Sequence, residues 1–217
     1  VLGGHSDVVR NVAFSPDGNY LASAGGEDDA SVRLWDFSSG REVTLFIGHE
    51  GWVGCAVFSR NGRQIVPGGR DETIRIWDVE TGRPVHVLRG HSGSVNSLSL
   101  STDGMRLASG SNDLTVRVWD IATGQEVHTL KPDASVYSVA FGPDSLRLVA
   151  SCGLDRSNQP AGIAVWDARP LTPEVRAAWA EELGTQAAAQ ALRHQAEKYR
   201  TEGKLREAIA ANEKIAT

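Results

Sequence analysis

Methionine is almost missing: the single one, Met105, is internal in a chain that opens on Val1. With no translation start of its own, the chain is expected to be cut from a longer protein. Cysteine is nearly as scarce. Cys55 and Cys152 are too few for a disulfide framework and show no metal-ligand spacing, so both are expected as buried thiols. No apolar run approaches the roughly 18 residues that span a bilayer, and no basic stretch followed by an apolar one opens the chain. Positive charge is also in short supply, with 22 Lys and Arg against 27 Asp and Glu, a net charge of -5. Such a chain sets up no overall field for a phosphate backbone or an anionic bilayer, so neither nucleic acid nor membrane is expected as a partner. The compartment stays open, the cytoplasm being the default expectation.

Glycine is abundant and then disappears. Of 23 glycines, 21 lie before position 171, and only Gly184 and Gly203 follow it. The chain therefore has two regions that obey different rules. In the first, Gly-His pairs stand at Gly4-His5, Gly48-His49 and Gly90-His91. Trp-Asp pairs stand at Trp35-Asp36, Trp77-Asp78, Trp119-Asp120 and Trp166-Asp167, in steps of 42, 42 and 47 residues. A period in the low forties marks a repeat architecture, whose units bury their apolar faces only by stacking on one another. Within each period apolar residues alternate, as at Val116 and Val118, between turns such as Pro16-Asp17-Gly18, Asn61-Gly62, Asp103-Gly104 and Pro143-Asp144. Period-two runs bounded by Asp, Asn and Gly read as short antiparallel strands. In the third unit these strands are expected near 95–100, 106–110, 115–120 and 126–130.

With these residues in place, the chain resembles the WD-repeat family of β-propellers over residues 3–168. The resemblance implies a mainly β fold of four four-stranded antiparallel blades, at about 3–47, 48–89, 90–131 and 132–168, the last without its outer strand. Family members usually have about seven blades, each turning the ring by roughly 51°, so four blades form a partial, open propeller. The flank of blade one around Val9, Val12 and Leu34 and that of blade four around Val139, Leu148 and Val165 are then expected to be uncovered. The isolated piece is expected to self-associate.

The resemblance also implies a buried hydrogen-bond chain in each blade, running from histidine through serine and aspartate to the indole. Blade three matches fully with His91, Ser109, Asp113 and Trp119, and blade one with His5, Ser23, Asp29 and Trp35. Blade two has His49, Asp71 and Trp77, but Pro67 occupies the serine position, so that blade is expected to be weaker. Blade four offers Ser151 and Trp166. A set of Ser, His and Asp suggests a catalytic triad. A nucleophile needs one exposed constellation, whereas this one recurs beside a core tryptophan, so no catalytic residue is expected. His5, His49 and His91 lie one blade apart, and no metal or cofactor site is expected. Arg33, Arg75 and Arg117, two residues before the tryptophans, read as solvated strand faces.

By the family pattern, the connection into each first strand opens on a face that commonly binds partners. The corresponding positions hold Val8, Arg10, Trp52, Ser94, Asn96, Ser135 and Tyr137. Trp52 and Tyr137 stand out, because aromatics with a polar tip are over-represented at interface hot spots; local packing of Trp52 against a neighbouring loop is the alternative.

The second region opens on Thr172-Pro173-Glu174, a helix-start signal, and carries 12 alanines in the 47 residues from 171 to 217. An α-helical tail is expected over 170–217. From 189 to 217, Leu192, Ala196, Tyr199, Gly203 and Ala208 resemble part of a tetratricopeptide repeat, a plain helical hairpin being the alternative. Both regions point to a non-catalytic protein-interaction scaffold within a larger multidomain protein, with other proteins or peptides as partners. The alternative is the regulatory portion of a bacterial-type protein kinase or other enzyme whose catalytic domain lies upstream of Val1.

Overall fold

The computed structural model describes residues 1–132, 134–153 and 162–168. The expected helical tail at 170–217 and its hairpin at 189–217 lie outside the described residues. Strands β1 (Val9–Phe14), β2 (Tyr20–Gly25), β3 (Ser31–Asp36) and β4 (Glu42–Ile47) form blade 1, each hydrogen-bonded to the next. Blade 2 repeats this with β5 (Val53–Phe58), β6 (Gln64–Gly69), β7 (Ile74–Asp78) and β8 (Pro84–Leu88). Blade 3 has β9 (Val95–Leu100), β10 (Arg106–Ser111), β11 (Val116–Asp120) and β12 (Glu126–Leu130). Blade 4 has three strands among the described residues, β13 (Ser135–Phe141), β14 (Arg147–Gly153) and β15 (Gly162–Asp167).

Short polar side chains hold the turns between first and second strands. The Ser15 hydroxyl donates to Asp17 at 2.6 Å and accepts the Tyr20 amide at 2.9 Å, and Ser59 and Ser101 do the same in blades 2 and 3. The last turn residue is left-handed, at φ 74° for Gly18, 70° for Gly62 and 74° for Gly104, a conformation glycine adopts without steric cost. Blade 4 departs from this: Gly142 replaces the serine, and Ser145 takes the left-handed position at φ 58°.

Every inner strand carries one unpaired extra residue near its start. Pairing skips Arg10 in β1, Gly54 in β5, Asn96 in β9 and Tyr137 in β13. Such bulges bend a strand and re-aim the side chain they carry.

The hydrophobic core is divided among the three blade junctions. Between blades 1 and 2, Ala24, Val32, Leu34 and Phe46 meet Val53, Ala56, Phe58 and Trp77, with the Phe46 and Trp77 rings stacked 5.5 Å apart. Between blades 2 and 3, Val66, Ile76 and Leu88 meet Val95, Leu98 and Trp119. Between blades 3 and 4, Ala108, Val116 and Val118 meet Val136, Val139 and Leu148. No cluster joins blade 4 to blade 1 among the described residues, and three of the six flank residues read from the sequence are placed elsewhere. Leu34 faces blade 2, and Val139 and Leu148 face blade 3, all three buried. Val9, Val12 and Val165 are exposed as read from the sequence, as are Phe14 on β1 and Ile163 on β15. Alternation predicts which residues share a face and leaves open which neighbour that face meets.

Candidate functional site

In blade 3 the indole Nε1–H of Trp119 donates to Ser109 Oγ at 2.8 Å, and Ser109 Oγ lies 2.7 Å from Nε2 of His91. His91 Nδ1 lies 2.8 Å from Asp113. While it accepts from the indole, the serine hydroxyl is able to give its own proton to Nε2, the arrangement that the lowered His91 pKa favours. The imidazole is then neutral, with its proton on Nδ1 facing the carboxylate. Burial pushes the His91 pKa below its ordinary value, although the Asp113 carboxylate pulls the other way. Burial alone would raise the Asp113 carboxyl; bonds from Thr115, His91 and the Ser92 amide outweigh it and hold the pKa below the ordinary value.

Blade 1 places His5, Ser23, Asp29 and Trp35 in the same chain, at 2.6 Å from His5 to both Asp29 and Ser23 and 2.8 Å from Trp35 to Ser23. In blade 2 His49 reaches Asp71 at 2.9 Å. The Asp71 carboxyl, which burial would raise, is held at about 2 by its contacts with His49, Thr73 and the Glu50 amide. There the chain stops. Pro67 pairs with Ala56 as Ser109 pairs with Leu98, so proline fills the serine position. His49 Nε2 is consequently buried with no partner among the described residues. The β6–β7 register also lapses between Ile65 and Gly68, where a proline has no N–H to give.

Pro67→Ser is expected to supply both the hydroxyl and the amide. The gain is about 1 kcal/mol after the lost stiffness of proline is deducted, visible as a rise of a few degrees in thermal melts. A lower melting temperature would show that the fixed proline backbone matters more than the missing bonds.

Blade 4 requires a correction. Leu148 pairs with Trp166 as Leu107 pairs with Trp119, so the residue two pairs along, equivalent to Ser109, is Ala150. Ser151 is one residue farther, at the position of Gly110, and points out of the blade on an exposed face. Trp166 packs against the junction with blade 3 instead. The longer loop of blade 4 displaced the alignment by one, and in a strand one residue reverses the face.

Two features of the site were missed. Each aspartate also accepts a hydroxyl two residues on, from Ser31, Thr73 at 2.9 Å or Thr115 at 2.6 Å. The residue between is left-handed in each case, Ala30 at φ 49°, Glu72 at 66° and Leu114 at 67°. The threefold Asp-x-Ser/Thr pattern was the available signal. The arginines are not solvated either. Arg33 pairs with Glu42 at 2.6 Å and Arg117 with Glu126, with arginine side chains less than a fifth exposed. A Cβ on Gly48 would lie 2.7 Å from the Arg75 guanidinium, and one on Gly90 2.9 Å from that of Arg117. The glycine of each Gly-His pair is thus the space through which arginine crosses. In blade 2 Pro84 stands in the glutamate position, and Arg75 turns to Asp71 at 3.9 Å.

At the blade entrances, Arg10 lies over the Trp52 ring at 5.1 Å, and that ring covers Gly54, where a Cβ would fall 2.4 Å from it. Arg70 and Glu27 form an ion pair beside them. Asn96 donates to Asn112 at 2.7 Å and to the Val136 carbonyl at 2.8 Å. Tyr137 covers Gly153 and is 55% exposed. Val8 and Arg10 are exposed, while Trp52, Ser94, Asn96 and Ser135 are half-buried. Trp52 therefore does pack locally, and it does so on the same surface. Cys55 and Cys152 are buried, and burial pushes the Cys55 thiol up to about 12. No cluster of three or more His, Cys, Asp or Glu side chains able to hold a metal occurs among the described residues.

Four successive antiparallel sheets packed against one another, two of them with a complete indole-to-carboxylate chain, define a repeat protein of the β-propeller class. Four stretches, residues 1–36, 40–78, 82–120 and 124–157, match the family described as WD domain, G-beta repeat, and the chain belongs to that WD40 family. Over 50 residues it is 52% identical to the Notchless protein homolog of Arabidopsis thaliana, covering 23% of this chain and 10% of that protein. Over 56 residues it is 50% identical to the nuclear distribution protein PAC1 of Coccidioides posadasii, covering 26% and 12%. The structure of U3-55K superposes with a TM-score of 0.68 at 25% identity, covering 76% of this chain and 50% of that one. The matched stretches thus span about half of this solved structure and about a tenth of the two curated relatives.

Proposed function

We propose that the blades act as a non-catalytic protein-interaction scaffold within a larger multidomain protein. Proteins or peptides dock on the face that carries Val8, Arg10, Trp52, Ser94, Asn96, Ser135 and Tyr137. The observation that supports this most directly is the bulge repeated in all four inner strands. It falls on Arg10, Gly54, Asn96 and Tyr137, giving up ladder pairing at the same place four times. The platform is also stiff in advance of binding. Trp52 and Tyr137 each pack against a glycine, and Arg10 covers Trp52, so anchoring groups of the type that dominate interfaces lose little freedom on contact. The buried Ser109 hydroxyl, committed to His91 and Trp119, is not placed to attack a substrate.

Peptides selected from a displayed library on the wild-type protein provide the test. Trp52→Ala and Tyr137→Ala are each expected to weaken a selected peptide about tenfold or more, with unchanged far-ultraviolet circular dichroism. Equal affinity in both variants would remove this face from consideration.

A further inference from the structure

We infer that a cleft between the turns of blades 2 and 3 binds the guanidinium group of an arginine presented by a partner protein. The cleft lies at the opposite end of β5 from Trp52, so this binding and docking on the entrance face stand or fall separately.

The space between the turns of neighbouring blades is filled from the start of the second strand. Register makes Tyr20, Gln64 and Arg106 equivalent, each paired with the aspartate that follows a repeat tryptophan, Asp36, Asp78 or Asp120. Between blades 1 and 2, Tyr20 and Val79 pack against the junction cluster. Between blades 3 and 4, Arg106 crosses the junction. Its guanidinium donates to the Ala168 carbonyl and, at 3.0 Å, to that of Ser145, and it lies over the Phe141 ring at 5.3 Å. Gln64 is shorter than either counterpart and uncharged, and beside it the junction between blades 2 and 3 holds a cleft of about 610 Å³.

The groups that receive Arg106 have counterparts in this cleft. The Ala168 amide donates to Leu146 as the Ile121 amide donates to Met105, so Ile121 stands where Ala168 does. Gly104 holds at φ 74° the left-handed turn position that Ser145 holds at 58°. Gly104 and Ile121 both line the cleft, which therefore repeats the carbonyl pair of the next junction without an arginine of its own at the Gln64 position.

Charge favours the same ligand. Asp103 and Asp120 stand in the wall against Arg60, whose stem packs on Gly104, where a Cβ would lie 3.2 Å from Arg60 Cβ. The bonds that hold the two turns all go to Oδ1: Ser101 and the Met105 amide on Asp103, and the Thr123 amide and hydroxyl on Asp120. The second oxygen of each carboxylate is the acceptor left for an incoming cation. A planar guanidinium with its fork of donors suits carbonyls and carboxylates set side by side, whereas a lysine ammonium is a point charge. Met105, 67% exposed, and Val85, 41% exposed, give the arginine stem an apolar rim.

Titration of the full chain with the blocked tripeptide acetyl-Ala-Arg-Ala-amide, followed by NMR on the Asn61 side-chain amide in the cleft wall, tests this. The same peptide with citrulline keeps the shape and loses the charge, and a lysine peptide keeps the charge and loses the fork. The arginine peptide is expected to give saturable shifts at millimolar concentration, and the citrulline and lysine peptides to bind more weakly, citrulline by about tenfold or more. Gln64→Arg supplies the guanidinium from within, as Arg106 does one blade on, and is expected to abolish peptide binding and raise the melting temperature. Asp120→Asn keeps an acceptor for Thr123 but not the charge, and is expected to weaken the arginine peptide about tenfold. Circular dichroism checks that both variants fold, and the citrulline comparison needs no variant. Absence of saturable shifts in the wild type would overturn the inference. So would equal binding of the citrulline or lysine peptide, or undiminished binding to Gln64→Arg, which would put the peptide elsewhere on the chain.

Discussion

Asp113→Ala is expected to destabilise the protein by about 3 kcal/mol, because one carboxylate satisfies four donors in blade 3. His91 Nδ1–H reaches it at 2.8 Å, the Ser92 amide at 3.0 Å, the Thr115 hydroxyl at 2.6 Å and the Thr115 amide at 3.0 Å. The Asp113 side chain is 3% exposed and that of His91 1%, so water does not readily replace the lost acceptor. Asp113→Asn keeps one oxygen and is expected to lose less. Chemical denaturation of the two variants measures the difference, and a loss under about 1 kcal/mol for alanine would mean that water reaches the site.

The same chain gives acid sensitivity a definite sign. The folded His91 pKa lies below the ordinary 6.5, so the unfolded chain takes up a proton first as pH falls through that value, and stability declines below it. Asp113 and Asp71 are held below 3.8, so their contribution is present above that value and is lost as pH falls through their folded values. Melting temperature is therefore expected to drop in two stages on acidification, the first beginning near pH 6.5.

What was legible in the sequence was whatever repeats. The Trp-Asp spacing and the turn chemistry located the strands of blade 3 to within a residue, because a period of two between glycine-bearing turns leaves little freedom of register. The histidine, serine and aspartate of blades 1 and 3 were legible for the same reason. Where a repeat departs from its own pattern, legibility ended. Ser151 was read into the hydrogen-bond chain because it is a serine near the right count, yet pairing with β15 assigns that place to Ala150. The sequence also carried no sign that Arg75 and Arg117 cross over Gly48 and Gly90, since no strand or helix period links a charged and a small residue 27 positions apart. That Leu34 faces blade 2 while Val139 and Leu148 face blade 3 depends on the direction in which blades stack, a property of several strands together and not of any one strand.

The junction between blades 3 and 4 gives the other large effect. Gly110→Ala is expected to cost about 2 to 3 kcal/mol, because the added Cβ would lie 2.4 Å from Val136 Cγ1 and 2.9 Å from Val139 Cγ1. Both valines are buried and β-branched, with few rotamers available, so they yield only if β13 moves away from β10. Neighbouring blades are coupled through their shared junction alone, so the loss falls on blade 4 before it reaches blades 1 to 3. Amide exchange is expected to accelerate across β13, β14 and β15 while β5 to β7 keep their protection, and denaturation is expected to become two-stage. Gly162→Ala is the control: a Cβ there meets nothing within 4 Å, and the substitution is expected to be neutral. Uniform acceleration across all four blades would show that the arc unfolds as one cooperative unit, and that the blade junctions are stronger than the single-residue clash at Gly110.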